Sequence, residues 1–119
     1  MTNAQDSHTT VGSLKEQVAH FVARRQWQTA HNPKNLAMSI AIEAAELMEH
    51  FQWQDLAHYA AIQDPEERQQ VSLEVADVAI YLLSFCHTTG IDLSRAITDK
   101  LTINEARFPV AAESEARQD

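Results

Sequence analysis

Turned at about 100° per residue, Leu36, Ile40, Ala44, Leu47 and Phe51 fall into one narrow apolar stripe. Ala41, Ala45 and Met48 carry it round the far side, with Ile42 and Met38 beyond. A second segment repeats the design: Val71, Val75, Val78, Leu82 and Phe85 form a core stripe that Ala79, Ile80, Leu83 and Cys86 widen. Helices apolar over most of their circumference are buried on more than one side. Each segment interrupts its apolar surface once. Glu43 and Glu46 share a sector with Ser39 and His50, and Glu74 and Asp77 share one with Gln70, Tyr81 and Ser84.

Capping signals set the boundaries. Ser13-Leu-Lys-Glu16 reads as a capping box, Asn32-Pro33 as an N-cap followed by proline at the first helical position, and Asp64-Pro65-Glu66-Glu67 as both together. Gly90 suits a left-handed helix end, and Asp92 caps the next start. The predicted helices run from Ser13 to Thr29, Pro33 to Phe51, Pro65 to Thr89 and Leu93 to Arg107, with a short helical connector from Asp55 to Ile62. Short connections between long helices imply antiparallel neighbours. The expected fold is all-α, a four-helix bundle-like protomer without strands. Residues 1–12 and 111–119 are polar and aperiodic and read as flexible tails, leaving one helical domain over 13–110.

Composition agrees. Two glycines and three prolines in 119 residues are too few turn residues for a β fold. The single Cys86, in an apolar run, fits a reducing cytoplasmic setting. No signal peptide is expected at the N-terminus, and no apolar stretch reaches the roughly 18–20 uncharged residues of a membrane span. A net charge of −8 argues against a nucleic-acid partner, whose phosphates need clustered Lys and Arg. A divalent cation held between them still lets an acidic protein bind a polyanion.

That possibility directs attention to the two acidic sectors. Residues three apart on a helix are neighbours, so each pair presents its oxygens to one point. If the two helices pack antiparallel, four carboxylates face each other. A hard cation relieves their repulsion, and all-oxygen ligands favour Mg²⁺, Mn²⁺ or Ca²⁺ over Zn²⁺. The plainer alternative is that these are ordinary surface acids. Against it, the pairs lie on largely apolar helices without lysines at i+4, and Arg68 is the only basic residue of the Arg or Lys type in its helix. A di-iron bundle needs Glu-x-x-His on two helices, which the sequence lacks.

The same residues carry a resemblance. The run from Asn35 to Trp53, with Glu43 and Glu46 at its centre, and the run Leu73-Glu-Val-Ala-Asp-Val-Ala-Ile-Tyr-Leu-Leu83 are similar to the two metal-binding helices of the MazG-like nucleotide pyrophosphohydrolases. Trp27, His31-Asn-Pro-Lys-Asn35 and Lys100-x-x-x-Asn104-x-x-Arg107-Phe-Pro109 resemble the dCTP pyrophosphatase branch. Two departures stand out: Ile42 replaces an acid often found before the first metal glutamate, and Phe108 a frequent tyrosine.

The resemblance implies an all-α homo-oligomer, dimer or tetramer, whose protomers share active sites. It implies Mg²⁺-dependent hydrolysis, with Mn²⁺ a possible substitute, of a nucleoside triphosphate to monophosphate and pyrophosphate. A pyrimidine deoxynucleotide such as dCTP is the expected substrate and nucleotide-pool house-cleaning the expected role. Glu43, Glu46, Glu74 and Asp77 would be metal ligands, and Glu46, with Glu43 beside it, the candidate for orienting the attacking water. Lys100 and Arg107 would meet phosphates, Asn104 sugar, base or phosphate, and Trp27, His31, Trp53 and Tyr81 would surround the nucleoside. A non-catalytic helical interaction module and a metal-dependent nucleotide sensor are the alternatives.

Overall fold

The computed structural model describes residues 3–53 and 64–111. These fold into four helices, α1 (Val11–Arg24), α2 (Pro33–Glu49), α3 (Pro65–Thr89) and α4 (Leu93–Arg107), and no strand occurs among the described residues. The expected connector from Asp55 to Ile62 and the segment 112–119 lie outside the described residues.

Three of the four predicted starts hold. Asn32, Asp64 and Asp92 each accept, through the side chain, the backbone N–H three residues on. The first helix differs. Its cap is Thr10, whose Oγ1 accepts the N–H of Ser13 at 3.0 Å, while the Ser13 hydroxyl donates to the Thr10 carbonyl at 2.9 Å. Ser13 is thus the third helical residue, not the cap, and the helix begins inside the segment read as a tail. Upstream, residues Gln5 to Thr9 form a hydrogen-bonded turn.

α1 also ends five residues early. Gln26 adopts φ 56°, its N–H bonds the Ala23 carbonyl, and the Trp27 N–H bonds the Val22 carbonyl. Those two bonds make a Schellman closure, with glutamine where glycine is usual. The following turn brings the His31 N–H onto the carbonyls of Trp27 and Gln28. Asn35 then ties the turn to α2 by donating its side-chain amide to the Ala30 carbonyl at 3.0 Å. α3 closes as predicted at Gly90, φ 75°.

Packing is extensive between α2 and α3 and between α1 and α3, whereas α4 contributes no buried residue and has no extensive contact with the others. The single chain is therefore a three-helix core with a fourth helix standing off it. Among the described residues, Leu36, Val22, Leu83 and Cys86 are the buried apolar side chains.

The face that α3 turns inward matches the predicted stripe only in part: Val71, Val78 and Phe85 are half-buried and Leu83 and Cys86 buried, but two stripe positions are not covered. Val75 is 49% exposed and Leu82 36%, while Glu74, Asp77 and Tyr81 are half-buried and Ser84 is buried. Both helices are apolar nearly all round, so hydrophobicity alone left the contact face undetermined. Met38, Ile42 and Met48 on α2, and Leu73 and Ile80 on α3, remain exposed. By length and mean hydropathy, 1.3 over 18 residues, α3 is the one described helix that meets the requirement of a membrane span. It carries Glu74 and Asp77, and ionisable groups at bilayer depth are expensive.

Candidate functional site

The α2–α3 contact brings acids together that the sequence separates by about thirty positions. Glu43, Glu46 and Glu74 each offer one carboxylate oxygen, and these lie within 4.8 Å of one another. Oε2 of Glu43 and Oε2 of Glu74 are shielded from solvent and have no hydrogen-bond partner. A buried acceptor without a donor costs roughly 1–3 kcal/mol, more when charged. Two in one cluster suit a positively charged group.

Protons partly fill that role. Burial, followed by side-chain contact with Glu46, repulsion from Glu46 and Asp77, and contact with Glu74, pushes Glu43 from its ordinary value of 4.5 up to about 7. Asp77 belongs to the same electrostatic cluster although it lies outside the converging trio. The donor set is all oxygen, as hard cations require. The residues present fit a hard divalent ion.

Three of the predicted nucleoside contacts form a second feature. The Trp27 and His31 rings stack with centroids 6.2 Å apart, and His31 meets Tyr81 at 6.3 Å. Phe21 extends the row, edge-on to Trp27 at 5.8 Å. Tyr81 stands one turn beyond Asp77 on α3, so the row of rings adjoins the acids. Behind it, a pocket of about 360 Å³ between α1 and α3 is lined by residues including Val22, Gln28, His31, Ser84 and Thr88. The sequence pattern places Ser84 on the acidic face but gives it no role. His31 Nδ1 lies 3.2 Å from Ser84 Oγ.

The remaining predicted residues are not gathered by a single chain. Trp53 is 89% exposed. Lys100, Asn104 and Arg107 lie on α4, which has no extensive contact with α2 or α3. The Arg107 guanidinium rests over the Phe108 ring at 5.2 Å. Position 108 is thus occupied by an arginine-stacking ring despite its missing hydroxyl.

Comparison with known proteins gives a consistent picture. The sequence profile of the MazG-like family matches residues 38–119. dCTP pyrophosphatase 1 from Rattus norvegicus is 35% identical over 102 residues, covering 85% of this chain and 60% of the relative. The same enzyme from Homo sapiens is 35% identical over 101 residues, covering 84% and 59%. The chain therefore spans about three fifths of the length of these relatives. A solved pyrophosphatase from Archaeoglobus fulgidus superposes with a TM-score of 0.79 at 34% identity, over 92% of this chain and all of the other.

Proposed function

The chain belongs to the MazG-like family, and from that premise we propose that it is a Mg²⁺-dependent nucleoside triphosphate pyrophosphohydrolase acting on dCTP or a related pyrimidine deoxynucleotide. The observation that carries this is the pair of solvent-shielded, unpartnered oxygens on Glu43 and Glu74, held beside Glu46. Surface acids would turn these atoms to water. Relatives named dCTP pyrophosphatase support the choice of base and sugar.

Glu43, Glu46, Glu74 and Asp77 would hold the metal, which when bound offsets phosphate charge and activates water for attack. The protein supplies position. Trp27, His31 and Tyr81 give the nucleoside an aromatic platform beside the acids, setting the triphosphate against them. Glu46 orients the attacking water and takes its proton, while the bond between the α and β phosphates breaks to release pyrophosphate. Nucleotide-pool house-cleaning follows from that product.

Lys100, Asn104 and Arg107 complete the proposal through assembly. Ile97, Leu101 and Ile103 on α4 are 49%, 58% and 51% exposed, and Met38, Ile42 and Met48 on α2 are uncovered too. Patches of this kind mark protein contacts. A homo-oligomer would bury them and bring α4 cations to a triphosphate. A cytoplasmic location belongs to the same proposal.

The test is a screen of common ribo- and deoxynucleotides for pyrophosphate release, with Mg²⁺ and with EDTA. Release from dCTP that requires Mg²⁺ is expected. Mg²⁺-dependent binding without release would make the protein a sensor, and neither would leave a helical interaction module.

A further inference from the structure

Ser84 is the buried polar side chain of the described structure, 4% exposed on α3. A buried hydroxyl must place its proton on an acceptor or lose the worth of a hydrogen bond. Three threonines of these helices take the carbonyl one turn back: Thr89 donates to Phe85, Thr98 to Ser94 and Thr102 to Thr98. Ser84 does not. Among the described residues its only hydrogen-bond partner is Nδ1 of His31, at 3.2 Å.

The backbone at His31 is fixed independently. Its N–H bonds two carbonyls of the preceding turn, and its own carbonyl accepts a long bond, 3.4 Å, from the Thr88 hydroxyl. With the backbone held and the ring stacked on Trp27 and tilted against Tyr81, the Ser84 bond decides what remains free, the tautomer. If Ser84 donates, Nδ1 is the acceptor and the neutral ring carries its proton on Nε2.

From this we infer that Ser84 is a positioning residue which holds His31 as the Nε2–H tautomer, so that the ring meets the nucleotide as a hydrogen-bond donor. The group selected opposite it is an acceptor oxygen of the nucleoside. The ligand rests on the function proposed above; the tautomer does not. A donor facing an acceptor strengthens binding, whereas the other tautomer would set two lone pairs against each other. Ser84 therefore contributes to substrate choice without touching substrate.

The experiment uses the full chain and two variants, Ser84→Ala and Ser84→Thr. Nitrogen-15 NMR of the imidazoles, with His31 assigned by its loss in His31→Gln, reads the tautomer in metal-free, nucleotide-free protein above the pH where histidine protonates. Wild type and Ser84→Thr are expected to show Nδ1 unprotonated and Nε2 protonated, and Ser84→Ala a mixture of both forms. With dCTP and Mg²⁺, Ser84→Ala raises KM between about threefold and tenfold while kcat stays within about twofold, and Ser84→Thr restores KM. A packing role alone would move the melting temperature but not the nitrogen shifts. The inference is overturned if wild type carries its proton on Nδ1, if Ser84→Ala leaves the tautomer unchanged, or if it lowers kcat with KM intact. A wild type that releases no pyrophosphate from any nucleotide counts against the enzyme, while the nitrogen shifts still decide the tautomer.

Discussion

Replacing Glu43 by glutamine removes one charge from the centre of the acid cluster and keeps the side chain's shape. In metal-free protein Glu43 titrates near 7 instead of 4.5, chiefly because burial disfavours its charge. The native state therefore holds a proton that the unfolded chain releases at lower pH. Stability must fall as pH rises from about 4.5 through about 7 and level off above. A tenfold difference in proton affinity between the folded and unfolded chain corresponds to about 1.4 kcal/mol. The residue is only half-buried, so solvent screening reduces the realised cost to on the order of 1–2 kcal/mol. At pH 8 in EDTA, Glu43→Gln should melt several degrees above wild type at equal protein concentration, and the difference should vanish near pH 4.5. Mg²⁺ reverses the order. Wild type gains about 2.7 kcal/mol at a hundredfold excess over Kd, and the variant, missing a ligand, gains little. Thermal denaturation from pH 4.5 to 9, with and without Mg²⁺, tests both halves. A variant less stable than wild type at pH 8 in EDTA would show that the acids do not repel, and one equally stabilised by Mg²⁺ would show that they do not share an ion.

Glu46→Gln should lower kcat by about 10²–10⁴ in pyrophosphate release; unchanged turnover at saturating Mg²⁺ removes its role as base. Because Glu43 must lose its proton to bind an ion, Mg²⁺ affinity should fall towards tenfold per pH unit below about 7, and calorimetry in buffers of different ionisation heat should detect proton release on binding. Leu101→Asp places a charge on the exposed apolar face of α4; sedimentation should show a smaller assembly than wild type, and an already monomeric wild type would refute the shared-site proposal. Gln26→Gly relieves the left-handed conformation at φ 56° and should raise unfolding free energy by about 1 kcal/mol in urea, unless Trp27 shifts with it.

Helix existence and most starts were legible because their signals are local. Asn32, Asp64, Asp92 and Gly90 act on backbone groups within a few residues, and α3 and α4 have the predicted limits. The larger errors fell at α1, where Thr10 out-competed Ser13 as cap and Gln26 took a conformation that sequence assigns to glycine; α2 also closes at Glu49, two residues before the predicted Phe51. The convergence of Glu43, Glu46 and Glu74 was also legible, through two charged sectors that interrupt apolar surfaces, whereas Asp77 lies outside the converging trio. What spacing did not fix was rotation about the axes. An apolar stripe with polar neighbours identifies a core face only when the rest of the helix is polar. Here Val75 and Leu82 were equally eligible for burial, and the inward face of α3 carries Glu74, Tyr81 and Ser84. The Ser84–His31 pair, 53 positions apart, leaves no trace in periodicity.

That inward acidic face explains why the outer faces stay apolar. A helix pair that spends its contact surface on carboxylates buries less hydrocarbon, and burial is the main term favouring the fold. Two sources can make up the difference. One is an ion, which turns repulsion among Glu43, Glu46 and Glu74 into attraction. The other is apolar contact beyond the single chain, for which Met38, Ile42, Ile97 and Leu101 remain available. The two are coupled: if a second copy covers α2 and α3 it also fixes the angle at which their acids meet, so assembly and ion binding should reinforce each other. Mg²⁺ should then raise the association constant of the protomers, and Leu101→Asp should weaken Mg²⁺ binding although Leu101 lies on a helix with no extensive contact to the acids. Equal Mg²⁺ affinity in Leu101→Asp and wild type, at concentrations where only wild type assembles, would separate the two and leave the uncovered apolar faces without a part in the site.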